Sequence, residues 1–389
     1  MILNDMTDCL SFNEALKKHK IVLVALEHYN PLGIIRSFGE LGINIDFVGI
    51  KYKVPVASAS MYIGALHQVN TIPEAYEVVL KKYSNVYKES GVKPILLFSD
   101  DDVYSIFDEH IEELQENFIT ANAGKNERVI EFMDKDKIQE CAKRHGLPVI
   151  SSFVVKPGEV PEGLKYPVIT KAISPLAGAW KGDFHICENE KELRENMATI
   201  NAEKCMIQPY IEKKTEIQYE GFSYDHGKGM FTGIQISNNY PIKGYYGPYM
   251  NIFPPQHPDF LQKLNAMLEE IGFEGLWEIE FLVDTEGNYW FLEINFRSSP
   301  WHRAATIAGM PLAYYWIKTT LTGKCPEPVA FEPFDAMVET VDYSKRVEAG
   351  RCTLAEWLSD FKNAKCTYYY DAVDQEPWKL VVKNWDRLK

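Results

Sequence analysis

The most informative stretch of this sequence is residues 275–297, GLWEIEFLVDTEGNYWFLEINFR. Apolar and polar residues alternate along both halves of the stretch, and Gly287 lies in the turn at residues 285–288 between them. Alternation is typical of a half-buried strand, and glycine is favoured in the tight turn of a hairpin. The stretch therefore predicts two antiparallel strands joined by a short turn.

One face of this hairpin carries candidate oxygen ligands. Glu293, Asn295 and Arg297 stand two residues apart on the second strand, so their side chains point together. Glu280 on the first strand can share that face, and two carboxylates among apolar neighbours need a compensating cation. Because Mg²⁺ prefers oxygen ligands and bridges phosphates, a metal site at Glu280, Glu293 and Asn295 is predicted. The alternative is a solvated sheet face bridged by Arg297.

The hairpin resembles the metal-binding motif of the ATP-grasp superfamily, in which one acid is followed by a second acid, an asparagine and often an arginine. The matching positions are Glu280, Glu293, Asn295 and Arg297. The resemblance implies an α/β chain with an α+β lid and metal domain, an ATP-grasp architecture of three subdomains with ATP held between two sheets. It also implies ATP and Mg²⁺ as cofactors, with two metal ions.

Two lysines match the phosphate-contacting pair of the same superfamily. Lys135 precedes a helix that ends at Gly146, with Lys137 as the nearby alternative. Lys171 closes the apolar strand at residues 167–171, PVITK, where a charge is unusual unless it meets an anion. For each lysine the other interpretation is an exposed surface charge.

The resemblance also implies a glycine loop and a hinge strand. The loop that would close over the phosphates is SPLAGAWKGDF, residues 174–184, in which Gly178 supplies flexibility and Lys181 supplies charge. It carries fewer glycines than the richest versions in the family. The adenine-binding hinge matches residues 205–211, CMIQPYI, with expected contacts at Gln208, Pro209, Tyr210 and Ile211. Glu216 matches the acid that binds the ribose.

The implied reaction begins when a carboxylate attacks the γ-phosphate of ATP and forms an acyl phosphate, from which an amine then displaces phosphate. Metal ions and lysines neutralise charge in the first step, and the oxyanion of the second step needs a donor. D-alanine–D-alanine ligases place an arginine two residues before the first metal acid, but that position is Glu278 here. Arg297 is therefore the expected catalytic residue. The alternative is a salt bridge from Arg297 to a neighbouring glutamate.

The loop after the hairpin is expected to face the substrates. Ser298 and Arg303 are candidates for clamping a substrate carboxylate, and a helix N-terminus capped by Ser299 is the alternative. The residues that carry out carboxylation in biotin carboxylases are not recognisable after the hairpin. The order of these motifs along the chain most resembles that of carboxylate–amine ligases such as the D-aspartate ligases. The resemblance therefore implies carboxylate and amine substrates, amino acids in particular. The rival functions are a non-catalytic ATP-binding regulator and a phosphotransferase that stops at phosphorylation.

Composition argues against other classes of protein. The 389 residues carry a formal net charge of −14, which disfavours a nucleic-acid partner because phosphate binding needs a basic face. Residues 1–15 lack the apolar run of a secretory signal, and no apolar stretch approaches the ~18 residues that span a bilayer. The seven cysteines form no CxxC pair, so reduced thiols in a cytoplasmic enzyme are expected. A homodimer is left open.

The chain length and the alternation of strands with helices predict several domains. The expected units are an N-terminal α/β domain at residues 1–124, a lid with its preceding helix at 125–212, a metal and catalytic subdomain at 213–325, and a mixed α/β segment at 326–389. No role is assigned to the last segment.

Four local features complete the expectations. Residues 27–30 follow a strand and are interpreted as a substrate contact or as a turn in which Asn30 caps the next helix. The cluster at residues 99–101, SDD, which contains two aspartates, is expected to cap another helix. Helices are predicted at residues 126–145 and at about 302–321. Cysteines within apolar patterns are expected in the core, namely Cys141, Cys187 and Cys205.

Overall fold

Three β-sheets organise the chain, of which the computed structural model describes residues 12–173, 184–242 and 247–388. The strands of the first sheet are β1 (Ile21–Leu26), β2 (Ile45–Ile50), β3 (Ile63–Val69), β4 (Ile95–Phe98) and β5 (Ile119–Thr120). They are parallel, in the order β3-β2-β1-β4-β5. Strands β1, β2 and β4 are buried almost throughout, as expected where helices cover both faces of a parallel sheet. The helices of this unit are Tyr29–Gly39, Ile72–Tyr83, Val86–Ser90, Asp101–Asp108 and Ile111–Asn117, with a 3-10 turn at Ala57–Ala59.

The second sheet is small and antiparallel. Its strands are β6 (Phe153–Val155), β7 (Val168–Ala172), β8 (His185–Cys187) and β9 (Cys205–Pro209), in the order β6-β9-β7-β8. The helix Glu190–Met197 buries Leu193 and Met197 in a separate small core with Cys187 and Cys205. Two helices, Arg128–Met133 and Lys135–Arg144, precede this sheet.

The third sheet contains the hairpin. Its strands are β10 (Lys213–Tyr224), β11 (Gly229–Asn238), β12 (Tyr249–Phe253), β13 (Gly275–Asp284), β14 (Tyr289–Asn295), β15 (Phe334–Met337) and β16 (Cys366–Thr367). They lie in the order β14-β13-β10-β11-β12-β15-β16, and all neighbours are antiparallel except the last pair. The predicted two strands of residues 275–297 are therefore confirmed. The helices of this unit are Pro258–Ile271, His302–Ile307 and Leu312–Thr322.

The C-terminal segment extends this same sheet, because β15 and β16 belong to it. It also packs against the first unit, where the fully buried Arg36 pairs with Asp374 at 3.0 Å and donates to the carbonyl oxygens of Tyr368 and Tyr369. The remaining helices are Glu339–Tyr343, Leu354–Asn363, Glu376–Lys383 and Trp385–Leu388, with a π-helical turn at Ser344–Glu348. The domain boundaries remain predictions.

Several local expectations need correction. His28, not Asn30, is the N-cap, and its Nδ1 accepts a hydrogen bond from the backbone N–H of Asn30. Asp100 occupies an N-cap position without capping through its side chain, which instead accepts from Leu26 N and from His28 Nε2.

Two predicted helices are interrupted. The first breaks at Asp134, where Lys135 starts a new helix that ends before Gly146, a residue with φ 72°. The second is divided between Ile307 and Leu312. The three cysteines expected in the core are buried, as predicted. Among the described residues, none of the helices combines the length and the apolar character needed to cross a bilayer.

Candidate active site

The predicted metal ligands meet on one face of the third sheet. Glu280 stands opposite Glu293 in the β13–β14 register, and Glu278 stands opposite Asn295. The side-chain nitrogen of Asn295 donates to Glu278 Oε2 at 3.0 Å and to Glu280 Oε1 at 3.1 Å. Alternation therefore placed Glu280, Glu293 and Asn295 correctly relative to one another.

The carboxylates on this face carry more negative charge than their neighbours neutralise. Burial raises the pKa of Glu280 to about 8, assisted by Glu278 and Glu216 and opposed by Lys135 and Arg297. Burial and Glu278 likewise raise the pKa of Glu220 well above its ordinary value. Such a set of oxygens either holds protons or binds a cation.

The two predicted phosphate-binding lysines come together beside these acids. Lys135 forms an ion pair with Glu293, and its backbone N–H donates to Ile173 O at 2.9 Å. Burial lowers the pKa of Lys135. Burial and the nearby charge of Lys135 lower the pKa of Lys171 to about 8. Two buried ammonium groups, one of which lowers the pKa of the other, are suited to sharing an anion such as a phosphate.

The hinge strand is formed as expected, but some of its groups are already engaged. The buried Gln208 donates from Nε2 to Gln139 Oε1 at 3.2 Å, and its Oε1 has no hydrogen-bond partner among the described residues. The backbone N–H of Tyr210 donates to Pro167 O at 2.9 Å, so this donor is not free for adenine. Pro209 pairs with Val168, and Ile211 follows the end of the strand.

Glu216 lies on the same face of β10 as Gln218, which stands opposite Glu280 on β13. The charge of Glu216 helps to raise the pKa of Glu280. It accepts a hydrogen bond from Lys213 Nζ at 2.8 Å and one from Asn238 Nδ2 at 3.3 Å. The structure therefore places Glu216 beside the predicted metal ligands. A contact with ribose remains a prediction.

Arg297 is held between two acids. Its guanidinium lies 3.2 Å from Asp101 Oδ2 and 3.4 Å from Glu278 Oε2. Burial alone would lower the pKa of Arg297, but Asp101 and Glu278 raise it above its ordinary value, so the side chain stays charged. Both interpretations of Arg297, catalytic donor and salt bridge, fit this position.

The two candidate substrate clamps differ in their surroundings. Ser298 is buried directly after Arg297, its carbonyl accepts from Asn30 Nδ2 at 3.1 Å, and its hydroxyl has no partner among the described residues. Arg303 is also buried, but it pairs with Glu40 and with Asp371, the latter at 3.3 Å. The guanidinium of Arg303 thus already joins the first unit to the C-terminal segment. Gly178 and Lys181 lie outside the described residues.

Sequence reasoning missed two acids of this site. Glu278 was noted only as the replacement of an arginine, and Glu220 on β10 was not considered. Glu220 stands directly opposite Glu278, and both are nearly inaccessible, at 2% and 3% exposure. The signal is present in the sequence, since Glu216, Gln218 and Glu220 alternate along β10 as the predicted metal ligands alternate along β14.

Comparison with known proteins identifies relatives of this chain. Residues 134–327 match the family model described as carbamoyl-phosphate synthase L chain, ATP binding domain. The 2-oxoglutarate carboxylase small subunit of Hydrogenobacter thermophilus is 27% identical over 231 residues, which cover 54% of this chain and 48% of that protein. The propionyl-CoA carboxylase alpha chain of Ruegeria pomeroyi is 23% identical, covering 50% of this chain and 31% of that protein. The chain thus spans about half the length, or less, of these curated relatives.

Solved structures show the same fold. The biotin carboxylase domain of the H. thermophilus 2-oxoglutarate carboxylase, in complex with MgADP, ADP and bicarbonate, superposes with a TM-score of 0.62 at 20% identity, covering 82% of this chain and 74% of that one. N5-carboxyaminoimidazole synthetase from Staphylococcus aureus superposes with a TM-score of 0.62 at 13% identity, covering 85% of each chain. L-amino acid ligase from Bacillus licheniformis superposes with a TM-score of 0.60 at 13% identity, covering 82% of this chain and 80% of that one. With its hairpin acids, its paired lysines and its matched ATP-binding domain, the chain belongs to the ATP-grasp superfamily.

Proposed function

We propose that this protein is an ATP- and Mg²⁺-dependent ligase that joins a carboxylate to an amine through an acyl phosphate, releasing ADP and phosphate. One observation carries the proposal. A face of buried or half-buried acids on β10, β13 and β14 adjoins two lysines, Lys135 and Lys171, and burial lowers the pKa of both. Acids for metal ions beside lysines for phosphates are the parts that phosphoryl transfer from ATP requires.

The residues present fit Mg²⁺ and ATP. Glu280 and Glu293 face each other across the hairpin, and burial together with the charges of Glu278 and Glu216 raises the pKa of Glu280, as expected where a cation belongs. Glu280, Glu293 and Asn295 would hold Mg²⁺, which when bound would neutralise the phosphates. Lys135 would exchange its partner Glu293 for a phosphate, and Lys171 would bind the same group.

The second half of the reaction would use Arg297. An amine that attacks an acyl phosphate creates an oxyanion at the carbonyl, and a charged donor stabilises this oxyanion more than the starting carbonyl. Arg297 follows β14 two residues beyond Asn295, between Asp101 and Glu278. These acids would hold the guanidinium in one orientation and keep it charged.

The choice of a carboxylate–amine ligase over a carboxylase comes from the sequence after Arg297. The fold does not decide, because the structural neighbours include both kinds of enzyme. Residues 298–303, SSPWHR, contain no carboxylate that could serve as a general base, and the buried His302 has its pKa lowered to about 3 by burial and Arg303. Carboxylate and amine substrates, amino acids among them, fit this site better than biotin.

A screen for ADP release tests the proposal. The protein is incubated with ATP, Mg²⁺ and amino acids, singly and in all pairs, and the products are identified by mass spectrometry. ADP release that requires both an acid and an amine, with an amide product, is expected, and Glu280→Gln should abolish it. A phosphorylated product from a single substrate would identify a phosphotransferase. Binding of MgATP without turnover on any pair would favour a regulator.

A further inference from the structure

A thiol, an imidazole and a carboxylate meet at the C-terminal end of the helix Lys135–Arg144. Cys141 lies in the last turn of this helix, His145 follows its last residue, and Glu270 belongs to the helix Pro258–Ile271. One possible ligand atom from each of the three side chains lies within 4.8 Å of the other two. None of these side chains takes part in the reaction proposed above.

The helix brings two of these groups together and holds them apart from the hairpin. Cys141 and His145 stand four residues apart, so their side chains lie on one side of the helix, and His145 N donates to Cys141 O at 3.2 Å. The helix has 10 residues and begins at Lys135. At a rise of about 1.5 Å per residue, its C-terminal end lies about 15 Å along the axis from the predicted phosphate-binding lysine. The cluster is therefore separate from the predicted Mg²⁺ site.

The carboxylate of Glu270 is held in place by three neighbours. Its Oε2 lies 2.7 Å from His145 Nε2, and its Oε1 pairs with Arg144. The side chain of Arg128 donates to the backbone carbonyl oxygens of Glu270 and Ile271 at 3.3 and 3.4 Å. Carboxylates that bind metal ions are themselves oriented by such hydrogen bonds. Because Arg144 occupies one oxygen, the other oxygen is directed towards the imidazole.

The three side chains differ in burial. Cys141 is fully buried, His145 is half-buried, and Glu270 reaches the solvent. Burial, and after it the charge of Glu270, raises the pKa of the Cys141 thiol to about 12, so the sulfur carries a proton. A divalent cation that enters from the exposed side would replace this proton, and the thiolate and the carboxylate would neutralise its two charges.

We propose that Cys141, His145 and Glu270 bind a divalent cation that accepts thiolate ligands, Zn²⁺ in particular. Zinc accepts sulfur, nitrogen and oxygen ligands in one site, whereas Mg²⁺ prefers oxygen alone. Three protein ligands leave the fourth tetrahedral position to water. The inference does not depend on the proposed ligase function, because it uses none of the residues assigned to that reaction.

Binding would exchange existing contacts for metal bonds. The S–H bond of Cys141 breaks, its proton passes to the buffer, and the sulfur binds the cation. His145 binds as the neutral ring through Nε2, with its proton on Nδ1, and Nε2 gives up its contact with Glu270. The bound cation would tie the helix that begins at Lys135 to the helix Pro258–Ile271.

Titration with Co²⁺ tests this site, because a thiolate bound to Co²⁺ absorbs in the near ultraviolet and tetrahedral Co²⁺ absorbs strongly in the visible range. The reduced, chelator-treated protein is titrated with Co²⁺ and then with Zn²⁺. A single equivalent of Co²⁺ should give both bands, and Zn²⁺ should remove them. Cys141→Ala should abolish the near-ultraviolet band. His145→Gln and Glu270→Gln should each weaken Co²⁺ binding by roughly tenfold or more.

Matched variants control for binding elsewhere in the chain. Glu269→Gln changes the exposed neighbour of Glu270, and Cys352→Ala removes another, partly buried cysteine. Both should keep the cobalt bands, and so should Glu280→Gln, which alters only the hairpin. Because a ligand of the folded state stabilises that state, saturating Zn²⁺ should raise the melting temperature of the wild type but not that of His145→Gln.

The outcomes separate this inference from the proposed function. A wild type without the near-ultraviolet band would overturn the inference, and so would a band that persists in Cys141→Ala. If Cys141→Ala does not fold, the two partly exposed ligands decide, and unchanged Co²⁺ binding in both His145→Gln and Glu270→Gln would equally overturn it. None of these results bears on ADP release from pairs of substrates, which tests the ligase by itself.

Discussion

Lys135 forms an ion pair with Glu293, which ties the start of the helix Lys135–Arg144 to the second strand of the hairpin. A lysine expected to contact phosphate thus contacts a predicted metal ligand. The ion pair therefore brings the predicted phosphate-binding lysine against the strand that carries the predicted metal ligands.

Replacing Lys135 by alanine should weaken ATP binding by roughly tenfold or more, because a half-buried ammonium next to a phosphate contributes at least one charge-assisted hydrogen bond. Isothermal titration calorimetry with ATP and Mg²⁺ measures this change. Lys137→Ala is the matched control, since Lys137 lies two residues away and is exposed. An affinity of Lys135→Ala equal to that of the wild type, or a loss of affinity confined to Lys137→Ala, would contradict our account.

ATP binding should take up protons near pH 8. The pKa of Lys171 is lowered from 10.5 to about 8 by burial and Lys135, and bound phosphates would raise it again. Affinity for ATP should therefore fall as pH rises above about 8, where the free lysine loses its proton. Calorimetry in buffers of different ionisation enthalpy counts the protons. Lys171→Arg, which stays charged, should abolish the uptake, and an uptake equal to that of the wild type would refute this assignment.

Arg297 should affect both stability and turnover. Arg297→Ala leaves Glu278 and Asp101 without their cation, so the free energy of unfolding should fall by about 3 kcal/mol, while turnover falls by about a hundredfold or more. Arg297→Lys keeps the charge but lacks the planar fork, so it should restore stability more than turnover. Thermal melting and steady-state kinetics on the same samples compare the two effects. A destabilised variant with normal turnover would leave only the salt-bridge role.

The hairpin and the shared face of its polar side chains could be predicted because their spacing is local. A period of two along β14 determines which side chains share a face, and the turn at residues 285–288 fixes which strand lies opposite. The paired lysines were found only through the resemblance to a family, since nothing in the spacing of Lys135 and Lys171 along the chain requires them to meet. The cap at His28 was missed because Asn30 has the higher capping preference, yet it makes contacts far along the chain instead.

Long-range partners could not be predicted. Glu220 matters because β10, rather than another strand, adjoins β13, and alternation does not identify neighbours in a sheet. Arg303 was expected at the substrate, but its partners Glu40 and Asp371 are contributed by distant segments. Strands β15 and β16 are only four and two residues long, so no period is visible in them.

Asn30 should stabilise the loop that follows the hairpin. Its side-chain nitrogen donates to the carbonyl oxygens of Ser99 and Ser298 at 3.0 and 3.1 Å in a buried site. Asn30→Ala leaves both carbonyls without this donor, so the free energy of unfolding should fall by about 1 to 3 kcal/mol in urea denaturation. Asn239→Ala, which removes an exposed hydrogen bond to Asp335, is the control and should cost less. An equal loss in the free energy of unfolding for the two variants would show that the buried hydrogen bonds of Asn30 stabilise the protein no more than an exposed one.

The most direct test of the account is the binding of ATP, with and without Mg²⁺, to the wild type, Glu280→Gln and Glu293→Gln, measured by calorimetry. The wild type should bind ATP much more tightly with Mg²⁺ than without it. Each variant should lose most of this metal-dependent gain, by roughly tenfold or more in Kd, while keeping its melting temperature in the metal-free state. If both variants bound ATP as tightly as the wild type and with the same dependence on Mg²⁺, the hairpin would not be the metal site, and the proposed mechanism would be wrong.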